Sequence, residues 1–184
     1  MAVSVGWASE VCLALELLKR QMGLDIVHVP YRGSGLALQD MLGGRVQLMI
    51  SPYIVFRGSV EAGQVRALAV TAAARIPALP EVPTVAEAGG PSDFEATGFI
   101  GLYAPAATPH AVVARVETAA GWAIRETDLP HAYVSQGLVP RFAGSEEFAA
   151  SLMREREKWG RLVREANIKL DPDYAETSAS LSRR

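Results

Sequence analysis

Residues 25–50, DIVHVPYRGSGLALQDMLGGRVQLMI, contain the signals that decide the fold. A β-branched run over 25–30 ends at a proline, which predicts a short strand. A glycine-rich turn follows, then a predicted helix over 36–42 that two glycines terminate, and then a second strand over 46–50. Strand, helix and strand joined by such short connections predict an α/β fold with mostly parallel strands.

The same alternation continues on both sides of this stretch. A helix is predicted over 9–22, with Ser9 as its N-cap and a glycine as its stop. Downstream, the pattern predicts a helix over 52–62 and a buried strand over 65–70. The proline-rich stretch 76–91 then predicts a loop that crosses between two lobes.

The C-terminal half reads as one more strand and two long helices. TGFIGLYA over 97–104 predicts the strand, and the helices are predicted over 109–126 and 146–166. In the second helix, apolar residues from Phe148 onward recur at helical spacing. Residues 171–184 have little to bury and are expected to form a flexible tail.

Composition excludes several classes of protein. The chain has 184 residues, 49% of them hydrophobic, and a net charge of -2, which is typical of a globular protein and not of a disordered one. Its 18 basic residues are scattered among 20 acidic ones, so no nucleic-acid partner is predicted. A single cysteine excludes an internal disulfide. No apolar run reaches the roughly 18 residues that span a bilayer, and the first residues do not resemble a signal peptide.

The sequence shows no catalytic or metal-binding constellation. The three histidines, His28, His110 and His131, have no metal-ligand spacing, and no Gly-x-Ser-x-Gly motif occurs. Cys12 is interpreted as a small buried hydrophobic residue. We therefore predict no enzyme activity, no metal and no cofactor.

Two predicted helix entrances, residues 4–9 (SVGWAS) and 31–35 (YRGSG), favour a bound anion. Small residues let the backbone approach a ligand closely, and the N–H groups at a helix start attract negative charge. Such entrances lie at the carboxyl ends of strands, where open α/β sheets bind ligands. A carboxylate would suit these groups, although ordinary capped turns would explain the same residues.

A nucleotide-dependent enzyme is the less favoured alternative. Gly33-Ser34-Gly35 matches the start of a dinucleotide-binding fingerprint, but Leu38 occupies the third glycine position. No acidic residue follows over 53–60 at the place where a ribose-binding carboxylate is expected.

Several linked strings resemble one family. DIVHVPYRGS (25–34), LGGRV (42–46), VRALAVT (65–71), PALPEVPTVAEAG (77–89) and GLYAPA (101–106) follow one another in its order. They are similar to the extracytoplasmic solute receptors of tripartite tricarboxylate transporters, the Bug-type receptors. The resemblance extends to about residue 166.

This resemblance implies a periplasmic-binding-protein-like fold of type II, the Venus flytrap, with a largely parallel sheet. Residues 1–90 would form the second, ligand-binding lobe, truncated at its N-terminus. Residues 91–170 would form the returning segment of an incomplete first lobe, and 171–184 the tail. The family captures a small carboxylate between its lobes and delivers it to membrane transporter subunits.

The resemblance also implies the ligand-binding residues, since the family holds carboxylates with backbone amides and small hydroxyls. The predicted residues are Ser4, Gly6, Ser9, Tyr31, Gly33 and Ser34. The chain departs from the family pattern at Val5, Ala8, Cys12 and Ser51-Pro52, the last pair standing where the family has an acid-containing pair.

A truncated first lobe would leave the strand over 97–104 without its usual neighbours, so we expect an open edge and self-association. The alternatives are an interaction or oligomerising module, or a non-functional relic of a receptor. The periplasm is the expected location if the sequence belongs to an exported receptor, and the cytoplasm if Met1 is the native start.

Overall fold

The structure is a computed structural model that describes residues 2–5 and 10–168. The described part contains three strands and six helices, in an order that alternates strand and helix over its first half. Their bounds are β1 Ala2–Val5, α1 Glu10–Met22, β2 His28–Tyr31, α2 Ser34–Leu42, β3 Leu48–Met49, α3 Tyr53–Glu61, α4 His110–Glu126, α5 Leu129–Val134 and α6 Ser145–Glu165.

The three strands form a parallel sheet in the order β2-β1-β3. Ala2 pairs with His28 on one side of β1 and with Leu48 on the other. The central strand β1 was not predicted, because AVSV is short and was interpreted only as the approach to a helix entrance. The predicted α/β class with parallel strands is confirmed.

The helices cover both faces of this sheet. On one face, Ala37 of α2, Val46 and Met49 form a buried cluster to which Val55 and Phe56 of α3 contribute. On the other face, Ala14 of α1 packs with Phe94 and Ala96, and the cluster extends to Ile50 and to Trp159 of α6. Met49 and Ile50 thus point to opposite faces, as successive residues of a strand do.

Helix α1 is the most deeply buried element. Cys12 and Leu15 are 1% exposed, which confirms that Cys12 is a buried small residue. The predicted helices α1, α3, α4 and α6 agree with the structure to within about two residues, the usual uncertainty of a helix end. Helix α2 begins two residues before the predicted start, and α5 was not predicted.

The strand predicted over 65–70 is wrong. Only one isolated bridge forms there, between Val70 and Thr84. Val70 N donates to Pro83 O at 2.8 Å, and Val85 N donates to Val70 O at 3.0 Å. The neighbouring stretch is proline-rich and turns immediately, so it cannot extend the ladder. The predicted loop over 76–91 is confirmed as a series of turns.

The strand predicted over 97–104 is also not formed. Residues 97–104 make no backbone–backbone hydrogen bond within the described part of the chain. The rings of Phe99 and Tyr103 nevertheless lie 5.5 and 5.7 Å from that of Phe148, while Ile100 and Leu102 are 87% and 73% exposed. Phe99 and Tyr103 are themselves 51% and 70% exposed, and no described strand lies alongside to complete a ladder.

Candidate functional site

The carboxyl ends of the parallel strands lie level with one another at one edge of the sheet. Val5, the last residue of β1, pairs with Tyr31, the last residue of β2. The β1–β3 register pairs Val3 with Met49, the last residue of β3, and Ser51 follows two residues later. All three strands therefore end at the same edge of the sheet.

This edge contains a topological switch point. After β1 the chain enters α1, which packs on one face of the sheet, whereas α3, which follows β3, packs with α2 on the opposite face. Because β1 and β3 are neighbours and the helices that follow them pack on opposite faces, a crevice is expected between these two strands at this edge. Open α/β sheets bind ligands in such a crevice.

The start of α2 lies at the same edge and is suited to an anion. Gly33 is its N-cap with φ −169° and ψ 150°, and no side chain caps the helix or places an acid in its first turn. The first backbone bond into this end runs from Ala37 N to Gly33 O at 3.3 Å. The N–H groups of the first turn therefore have no intrahelical acceptor, and the helix dipole favours negative charge beside them.

Space is available in front of these N–H groups. A Cβ added to Gly33 or to Gly35 would meet no described atom within 4 Å beyond its own chain neighbours. The backbone is thus open to a ligand at the place where the sequence predicted close approach.

Tyr31 has an internal role that the sequence did not reveal. Its hydroxyl donates to Asp40 Oδ2 at 2.6 Å, and Arg45 donates to the other carboxylate oxygen at 2.7 Å. The Tyr31 hydrogen bond, with that of Arg45, holds the pKa of Asp40 below its ordinary value, and the bond to Asp40 raises the pKa of Tyr31. The phenol therefore fixes the end of β2 to α2, and a ligand contact from its ring or backbone stays a prediction.

The other predicted site residues differ in how far the structure describes them. Gly33 and Ser34 lie at the start of α2, next to Tyr31. The backbone of Ser4 lies within β1, opposite Pro30. Gly6 and Ser9 lie outside the described residues, so their place in the site stays a prediction.

Ser51 is a residue of this edge that the sequence analysis noted only as a departure from the family pattern. Its Oγ is buried and has no hydrogen-bond partner among the residues that the structure describes. Its position directly after a predicted strand could have identified it, by the same rule that selected the other two strand ends.

The described residues hold no group of three or more histidine, cysteine, aspartate or glutamate side chains that could bind a metal ion. Across the same residues, no helix combines the length and the apolar character that crossing a membrane requires.

Comparison with known proteins identifies the family. The family model for the tripartite tricarboxylate transporter family receptor, TctC, matches residues 2–168. A relative from Pseudomonas sp. (strain P51), named as a UPF0065 protein in the tcbD-tcbE intergenic region, is 38% identical over 90% of this chain and 49% of its own length.

Solved structures of similar fold include two with bound dicarboxylates. One, described as R. palustris Rpa4515 with adipate, is 30% identical with a TM-score of 0.81 over 92% of this chain and 57% of that one. The other, MatC from Rhodopseudomonas palustris with bound malate, is 30% identical with a TM-score of 0.68 over 88% of this chain and 56% of that one.

The chain spans about half the length of the curated relative that it matches and somewhat more than half of these solved chains. The periplasmic-binding-protein-like fold expected from the resemblance is confirmed, with part of that fold represented. With its family model matched over nearly all of the described residues, the chain belongs to the receptors of the tripartite tricarboxylate transporter family.

Proposed function

We propose that this chain binds a small carboxylated metabolite as a solute receptor, or as part of one, and delivers it to the membrane subunits of a tripartite tricarboxylate-type transporter. The observation that carries the proposal is the uncapped N-terminus of α2, which begins directly after β2 at the carboxyl-end edge of the parallel sheet. Relatives of the same fold that hold adipate and malate support a dicarboxylate as the ligand.

The proposed role is binding without chemistry, in the periplasm, where receptors of this family act. A carboxylate would accept hydrogen bonds from the first-turn N–H groups of α2 and from the Ser34 hydroxyl. Such a site needs no metal and no cofactor.

Substitution of the N-cap glycine tests the proposal. Gly33→Asp adds a good N-cap in an extended backbone with free space for its side chain, so the fold is expected to be kept or slightly stabilised. The same aspartate would repel a carboxylate ligand. It would also accept hydrogen bonds from the first-turn N–H groups that the ligand needs. Gly33→Asn is the matched control, since it has the same shape and capping ability without the charge.

The measurement is calorimetric or thermal-shift titration with mono-, di- and tricarboxylates, adipate and malate among them. A wild-type binder at 100 times its dissociation constant gains about 2.7 kcal/mol of stability. We expect this gain in the wild type and its loss in Gly33→Asp, with Gly33→Asn retaining more affinity than the aspartate variant. Equal binding by all three chains would contradict the proposed site.

A second proposal, self-association, rests on a different observation. Residues 97–104 lack backbone partners within the described part of the chain, and their outward side chains Ile100 and Leu102 are apolar and exposed. An unpaired extended segment of this composition recruits another strand. We propose that a second copy of this chain covers it, which would make the protein an oligomerising module as well as, or in place of, a receptor.

A further inference from the structure

The buried hydroxyl of Ser51 is an exception within a well-satisfied fold. Ser51 Oγ is the one buried side-chain nitrogen or oxygen that lacks a hydrogen-bond partner among the described residues. A buried hydroxyl without a partner destabilises a protein, and native structures contain few of them. Such a group calls for a physical explanation.

The local structure does not supply one. Ser51 precedes α3, whose N-cap is Pro52, and no side chain makes a capping hydrogen bond to that helix. The first turn of α3 is instead closed by the backbone bond from Val55 N to Pro52 O at 3.0 Å. The Ser51 hydroxyl therefore contributes no hydrogen bond to the start of the helix that follows it.

The position of Ser51 supplies an explanation. It follows the last residue of β3 by two positions, on the carboxyl-end side of the sheet where β1 and β2 also end and where such folds bind ligands. The Tyr31 hydroxyl already donates to Asp40, so of these two strand-end hydroxyls only that of Ser51 has no acceptor. No acidic residue lies in the first turn of α2 or of α3. A ligand carboxylate would therefore not be repelled by an acidic side chain in either turn.

We infer that Ser51 is a ligand-binding residue whose hydroxyl donates a hydrogen bond to a carboxylate oxygen of the bound solute. This inference rests on the proposed function and adds a side chain to a site otherwise built from backbone N–H groups. Ligand binding would satisfy the buried hydroxyl, so the residue is unfavourable in the empty protein and useful in the loaded one.

Ser51→Ala separates this role from a structural one. Removing an unsatisfied hydroxyl leaves no broken bond, so the unliganded variant is expected to be at least as stable as the wild type in a urea titration. Its affinity for the tighter-binding of adipate and malate is expected to fall about 10- to 100-fold, the range for a lost hydrogen bond to a charged group. Ser59→Ala, near the other end of α3, is the matched control and should change neither property.

The outcomes are distinguishable. Loss of stability in unliganded Ser51→Ala, beyond that in Ser59→Ala, would show an internal partner and overturn the inference. Unchanged affinity in Ser51→Ala, with a wild type that binds, would overturn it and leave the proposed function intact. A wild type that binds no carboxylate would overturn the proposed function and, with it, the role of Ser51.

Discussion

At the scale of single residues, the contact between α1 and α6 contains an unfavourable pair of carboxylates. Burial and the nearby charge of Glu155 raise the pKa of Glu10 above its ordinary value of 4.5. Glu155 Oε2 also accepts a hydrogen bond from Trp159 Nε1 at 2.7 Å, which holds it in place. Because folding raises this pKa, the stability contributed by protonated Glu10 is complete at low pH and is lost as pH rises through the raised pKa.

Glu155→Gln is therefore expected to stabilise the protein at neutral pH. Glutamine keeps an oxygen that can accept the Trp159 bond but removes the repulsion of Glu10. Since the pair is only partly buried, the gain should stay below about 1 kcal/mol, and it should vanish below about pH 4.5 as Glu10 becomes protonated. Urea titrations of both chains at pH 7 and pH 4 measure it. A less stable variant at pH 7 would show that the charge on the Trp159 acceptor outweighs the repulsion.

At the scale of secondary-structure elements, one polar cluster joins β2 to α2 and so positions the candidate site. Tyr31, Asp40 and Arg45 form it, and the two hydrogen bonds to the Asp40 carboxylate lower its pKa. Because folding lowers this pKa, the associated stability is present above the ordinary value of 3.8 and is lost as pH falls through the lowered one.

Tyr31→Phe is expected to loosen α2 while it keeps the ring in the core. The pKa of Asp40 should rise toward its ordinary value, and amide exchange in α2 should become faster. NMR titration and hydrogen exchange measure the two effects, and Tyr103→Phe, in an exposed tyrosine, is the control. A loss of carboxylate binding with unchanged exchange in α2 would instead assign the Tyr31 hydroxyl to the ligand.

At the scale of the whole molecule, the proposed self-association through segment 97–104 can be tested by substitution. Ile100→Lys with Leu102→Lys places charges on its outward face and is expected to shift a self-associated protein to the monomer in light scattering or sedimentation. Leu68→Lys, at a side chain that is 60% exposed outside the segment, is the control. A wild type that stays monomeric at high concentration would contradict self-association.

Sequence periodicity determined the long helices and the α/β class. A helix satisfies its own backbone, so α1, α4 and α6 could be predicted from local pattern alone. A strand needs a neighbour, and 65–70 and 97–104 have the composition of strands but lack, among residues 2–5 and 10–168, the partners to complete them. The glycine-rich entrance at Gly33 was likewise predictable, because its signal lies within five consecutive residues.

Only the tertiary structure decided the order β2-β1-β3, and with it the switch point between β1 and β3. The short segment AVSV forms the central strand by pairing with stretches more than twenty residues away along the chain. Local sequence pattern could not reveal this pairing. In the folded protein, Ser51 Oγ is also buried without a partner among the described residues, and the Tyr31 hydroxyl donates to Asp40. A sequence shows which groups can form hydrogen bonds, but the packing of distant segments determines which of them remain available to a ligand.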